Sequence, residues 1–95
     1  MPKGYLIAHI AVHDAEGFEA FKQLSGAAIK AHDGRVLIRN PAPDLLEGEM
    51  KKLTIVVEFD SFQAARTFYE SDAYTEARAL REKVSDTDLI LVEGI

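Results

Sequence analysis

His9, Arg39 and Glu58 are the residues whose types could do chemistry together. A histidine titrates near neutral pH. Beside a carboxylate and a guanidinium in a half-dry cavity, it can act as a general base or help to hold a small carboxylate or carbonyl compound. Arg35 and Glu93 are candidates to join the group. The plainer alternative is that these side chains pair with one another and only meet the hydrogen-bonding demand of buried polar atoms. No nucleophile motif accompanies them, so no catalytic residue is assigned.

Other spacings are weaker. His9 and His13 would form a metal pair on a helix, but on a strand they stand ~13 Å apart, too far to share an ion; no metal or cofactor is expected. Tyr74, Arg78 and Arg81 lie three and four residues apart on a helix side. An anion clamp is one reading of them; a solvated face with ion pairs to Glu82, or a contact to a neighbouring subunit, is the other. Ser61 and Ser71 have no histidine and aspartate arranged around them, and helix capping accounts for both.

The elements that must position these residues can be read in order. Tyr5 to Val12 is an apolar run of strand length. Asp14 then caps a helix that places Phe18, Phe21, Leu24, Ser25 and Ala28 on one face. Gly17 and Gly26 each weaken that helix by roughly 1 kcal/mol relative to Ala, a hint of close packing, with a tolerated defect as the plainer reading. Gly34 offers a left-handed end to the helix before a second strand, Arg35 to Asn40. Pro41 to Asp44 forbids regular pairing and marks a loop.

Leu53 to Phe59 is the central strand, alternating strictly in side-chain character. Asp60, with Gln63 three residues on, has the spacing of a capping box for the helix that follows. That helix carries Phe62, Ala65, Phe68 and Tyr69 inward and is interrupted at Ser71-Asp72. A second segment places Tyr74, Ala77, Leu80 and Val84 on the core side and Glu76, Arg78, Arg81, Glu82 and Lys83 on a charged side. Asp86 to Glu93 is the last strand.

Strand, helix, strand, strand, helix, strand is the ferredoxin-like βαββαβ order: an α+β fold in which a four-stranded antiparallel sheet carries its helices on one face. Alternation assigns Leu6, Ala8, Ile10, Val12, Val36, Ile38, Leu53, Ile55, Val57, Phe59, Ile90 and Val92 to the covered face. The other face collects Tyr5, Ile7, His9, Ala11, Arg35, Leu37, Arg39, Thr54, Val56, Glu58, Leu89, Leu91 and Glu93. An open face with that many apolar members is an interaction surface. A symmetric dimer built on it would bury the apolar residues and leave the polar ones lining a cavity.

With 95 residues, residues 1–95 are expected to make a single small domain whose core a second copy can complete. Apolar residues are 47% and charged residues 28%, proportions of a folded chain rather than a disordered one. The formal net charge of −5 and the scattered cations disfavour nucleic acid. The central strand LTIVVEF, with Glu58 on the open face, also lacks the stacking aromatics of an RNA-recognition sheet. The chain has no cysteine, hence no disulfide framework, and no run approaches the ~18 apolar residues of a membrane span. Cytoplasm is the expected location.

The opening GYLIAHIAVHD, DGRVLIRN, LLEGE, TIVVEFDSFQAARTFYES with DAY, Arg78 and Arg81, and the closing LILVEGI resemble the DUF1330 family over essentially the whole chain. The resemblance implies a dimeric α/β barrel, a relative of the ferredoxin-like fold, and no known function. Family members typically carry Tyr-Gly-Gly-Arg before the second strand. This chain has His32-Asp33-Gly34-Arg35 and lacks the first glycine. The expectation is therefore a homodimer that binds, or binds and transforms, a small organic metabolite at His9, Arg39 and Glu58 on the open face. The alternative is a non-catalytic dimerisation module without a ligand.

Overall fold

The computed structural model describes residues 2–95. Its elements are β1 (Gly4–Val12), α1 (Ala15–Ala31), β2 (Arg35–Asn40), β3 (Leu53–Phe59), α2 (Phe62–Glu70), α3 (Asp72–Val84) and β4 (Ser85–Glu93). All neighbouring strands are antiparallel, in the order β2-β3-β1-β4. This is the ferredoxin-like arrangement that the element order predicts.

Polar side chains close the helices where the sequence offers them. Asp14 accepts from the backbone N–H of Gly17 at 3.1 Å and starts α1. Ser61, rather than Asp60, caps α2 by accepting from the Ala64 N–H at 3.0 Å. Asp60 is left for ion pairs with Arg35 and Lys3. Ser71 serves both α2 and α3: its hydroxyl donates to the Phe68 carbonyl at 2.7 Å and accepts from the Tyr74 N–H at 3.2 Å.

The turn after α1 differs from expectation. Asp33, not Gly34, takes the left-handed backbone, with φ 57°. Aspartate tolerates that region better than most residues, and it fills the position where the family's first glycine would stand. Gly34 is needed for space instead. A Cβ there would lie 2.8 Å from both Ile29 Cγ2 and Phe59 Cε1.

The core lies between the sheet and the helices. It contains Leu6, Ala8 and Ile10 of β1, Val57 and Phe59 of β3, and Phe18, Phe21, Ala28, Ala65, Phe68, Tyr74, Ala77 and Val84 of the helices. Phe68 stacks against Phe59 at 4.9 Å and Tyr74 at 4.6 Å between ring centroids. Leu24, expected on the buried side of α1, is exposed; the buried stripe is Phe18, Phe21, Ser25 and Ala28.

Strand alternation holds for β1 and β3 and fails in the two outer strands. Leu91 pairs with Leu6 and Leu89 with Ala8, so Leu89 and Leu91 face the helices and Ile90 and Val92 the open side, the reverse of the expected assignment. In β2 the register shifts between Val36 and Ile38. Val36 pairs with Val57 on the helix side, Ile38 with Val56 on the open side, and Arg39 with Ile55 back on the helix side. One extra residue, Leu37, inverts every position after it.

Candidate functional site

Antiparallel partners share a face, so the registers arrange the open side in three rows. Arg35, Glu58, Tyr5 and Val92 form the first; Ile38, Val56, Ile7 and Ile90 the second; Asn40, Thr54, His9 and Asp88 the third. The middle row is wholly apolar, with Ile38 45% and Ile90 53% exposed. Polar side chains in the rows beside it are hydrogen-bonded, Asn40 and Asp88 of the third row to the Ala42 N–H and Lys51 outside it. Glu58 accepts from Arg35 Nε at 3.0 Å and from the Tyr5 hydroxyl at 3.0 Å. Arg35 also reaches Asp60 at 3.1 Å. His9 Nδ1 lies 3.3 Å from Thr54 Oγ1.

These bonds set the electrostatics of the first row. The Arg35 guanidinium, and then the Tyr5 hydroxyl, hold the Glu58 carboxyl below its ordinary value. In return, the bond to Glu58 pushes the Tyr5 hydroxyl up. The carboxylate is thus committed as an acceptor and is a poor base.

His9 and Glu58 therefore share the open face as expected, but in different rows, separated by the apolar one. Arg39 does not join them. The β2 bulge carries it to the helix side, where it borders a groove between α1, the sheet and the loop joining β2 to β3. Glu93, expected on the open face, pairs with Gly4 and shares the helix side with Leu91, so it does not join the group either.

The groove holds about 940 Å³. Ile10, Leu53, Ile55 and Phe18 supply apolar walls, and Lys22 and Arg39 border it. A smaller cavity of about 40 Å³ lies inward, and Ile10, Lys22, Arg39 and Ile55 line both spaces. The inner wall includes Ser25, Tyr74 and Arg81. Arg81 is 6% exposed and donates from Nη1 to the Tyr74 hydroxyl, and its guanidinium lies 5.9 Å from the centre of the Phe21 ring. Burial pushes the Tyr74 hydroxyl up.

Arg81 was expected on the charged side of the last helix, and that assignment is overturned. Its place follows from spacing: Tyr74, Ala77, Arg81 and Val84 form one buried stripe at intervals of three, four and three. A cation on such a stripe is the sequence signal for the inner cavity. Arg78 does behave as a surface residue. It donates to the Tyr69 hydroxyl at 2.9 Å and pairs with Glu82 at 3.8 Å. Among the described residues, no three side chains of His, Asp or Glu come together as metal ligands. No described helix is long and apolar enough to cross a membrane.

The model of a domain of unknown function, DUF1330, matches residues 3–95. The chain belongs to the DUF1330 family. Solved structures resemble this DUF1330 chain at low identity, a likeness that shows the fold alone. A protein of unknown function from Rhodopseudomonas palustris superposes with a TM-score of 0.78 at 17% identity, over 99% of this chain and 83% of its own. A dimeric protein of unknown function and ferredoxin-like fold from Bacteroides fragilis gives 0.65 at 12%, over 96% and 95%. SnoaB, a cofactor-independent oxygenase from Streptomyces nogalater, gives 0.65 at 13%, over 97% and 92%. No curated protein matches.

Proposed function

We propose that this DUF1330 protein is a homodimer that binds a small organic molecule in the groove between α1 and the sheet. The observation that carries the binding is the groove itself: about 940 Å³, walled by Ile10, Phe18, Leu53 and Ile55 and bordered by the charged side chains of Glu19, Lys22, Arg39, Glu49, Lys51 and Lys52, it is a concave apolar space with polar groups at its edge. The groove and inner cavity are lined by no histidine, and Ser25 bonds the Lys22 carbonyl at 3.4 Å. The reading is accordingly of binding, with no reaction assigned.

The dimer is supported by the open face. An apolar row of Ile38, Val56, Ile7 and Ile90 between two rows of hydrogen-bonded polar side chains suits burial against a second copy. The structurally similar protein from Bacteroides fragilis is itself dimeric. His9 and Glu58 enter as polar groups closed within the interface rather than as ligand contacts. Their internal pairing is also what the ligand-free dimerisation module requires, so the groove separates the two readings.

Native mass spectrometry of the purified protein, with the Ile90→Lys variant beside it, tests both parts. The expected result is a dimer for the wild type, a monomer for the variant, and a small non-covalent adduct that is lost on denaturation. A wild-type monomer would overturn the dimer. A bare dimer, together with no amide shift at groove residues when apolar small molecules are titrated in NMR, would favour the dimerisation module.

A further inference from the structure

The inner cavity carries an unusual charge arrangement for an acidic protein. Lys22, Arg39 and Arg81 line it, and no carboxylate does, although the chain as a whole bears a formal net charge of −5. Lys22 pairs at 2.7 Å with Glu19, which lines the outer groove together with Glu49. Among the described residues, neither Arg39 nor Arg81 makes an ion pair. Low-dielectric walls around one sign of charge focus the field and concentrate ions of the opposite sign.

Arg81 is the centre of this arrangement. A guanidinium stays charged at every physiological pH, and a buried charge is normally met by an opposite one. Here Nη1 is bonded to the Tyr74 hydroxyl, aromatic rings of Phe21 and Tyr74 lie beside the cation, and Nε is buried with no partner. Tyr74 accepts that bond through its oxygen, so its own hydroxyl hydrogen is free to donate. Two donors and a full positive charge thus border a cavity whose lining holds no anionic acceptor.

Resting on the groove reading, we infer that the ligand is a small organic acid whose carboxylate enters the inner cavity and bonds Arg81 and Tyr74, while its apolar body occupies the outer groove. The cavity of about 40 Å³ has room for about three water-sized spheres at ~10–15 Å³ each, which suits the three heavy atoms of a carboxylate head. A carboxylate also matches the planar donor geometry of a guanidinium. Arg39, which lines both spaces and makes no ion pair among the described residues, stands at the passage and draws the anion inward.

The test is NMR titration of the full chain with straight-chain carboxylates, butanoate to decanoate, against the matching primary alcohols. The proteins are the wild type, Arg81→Met, Arg39→Met and Tyr74→Phe. Carboxylates are expected to shift amides around Ser25 and Tyr74 and to bind about tenfold or more tightly than the alcohols. Arg81→Met should abolish that preference, Arg39→Met reduce it, and Tyr74→Phe weaken the acids without weakening the alcohols. Because Arg39 is exposed, its variant keeps the test alive should Arg81→Met fail to fold.

Equal binding of acids and alcohols, indifferent to all three substitutions, would overturn the acid site and leave the groove standing. A preference that survives Arg81→Met and Tyr74→Phe but disappears in Arg39→Met would place the attraction at the rim and overturn the inner site. No shift at groove residues with any compound would overturn both.

Discussion

Arg35 and Glu58 face each other across β2 and β3 with Nε 3.0 Å from Oε1, and the second Glu58 oxygen accepts from the Tyr5 hydroxyl at 3.0 Å. Both bonds favour the charged carboxylate, so the folded state holds its proton more weakly than the unfolded chain does. The stabilisation is fully present above the ordinary glutamate value, about 4.3, and is lost as pH falls through the lower folded-state value. Urea midpoints measured between neutral pH and pH 3 should therefore fall less steeply for Glu58→Gln than for the wild type. Parallel acid limbs for the two proteins would show that Glu58 does not contribute.

The turn at Asp33 gives a second expectation. A side chain at φ 57° is disfavoured for most L-residues by roughly 1–2 kcal/mol, and β-branched residues tolerate it worst. Asp33→Gly should leave stability unchanged or raise it by up to about 1 kcal/mol, whereas Asp33→Val should lower it by about 1–2 kcal/mol. Chemical denaturation of the pair decides; the opposite order would mean that the aspartate side chain stabilises the turn by itself.

Gly17 and Gly26 look alike in the sequence but are opposites in the fold. A Cβ on Gly17 would lie 2.5 Å from Val84 Cγ1 and 3.1 Å from the capping carboxylate of Asp14; one on Gly26 would meet nothing within 4 Å. Gly26→Ala should stabilise by up to about 1 kcal/mol, the helix-propensity difference. Gly17→Ala gains the same propensity but must push α1 away from Val84, and a net loss of about 1–3 kcal/mol is expected. Thermal unfolding of the two variants measures the contrast.

What the sequence conveyed best was whatever local spacing controls. The order of elements, the stripe of Phe18 and Phe21 and the alternation of β1 and β3 follow from side-chain periods of 3.6 and 2, and the caps at Asp14 and Ser71 from short polar side chains placed before a helix. The outer strands escaped the same reasoning. In β4 each residue from Leu89 to Val92 is apolar, so alternation carries no contrast to fix its parity, and pairing with Leu6 and Ala8 decides it. In β2 the extra residue Leu37 is invisible to counting. It moves Arg39 off the open face, and the trio of His9, Arg39 and Glu58 is consequently divided between two sides of the sheet. Arg81 shows the limit of charge as a guide: its position in the stripe of Tyr74, Ala77 and Val84, not its cation, decides that it is buried.

Phe68 joins the core to the inner cavity, and its removal should be felt in both. Its side chain is fully buried between the Phe59 ring at 4.9 Å, the Tyr74 ring at 4.6 Å and His32 at 5.7 Å. Phe68→Ala removes those contacts and leaves a cavity, a change that costs about 3–5 kcal/mol in a well-packed core. A small domain has about 5–15 kcal/mol in total, so the variant should unfold at much lower urea concentration and approach loss of the cooperative transition. Phe68→Leu, which refills most of the volume, should recover a large share of the loss. Circular dichroism during urea unfolding measures each step. A Phe68→Ala midpoint within error of the wild type would mean that α2 closes onto β3 without this ring, and that Tyr74 is held in place by α1 and α3 alone.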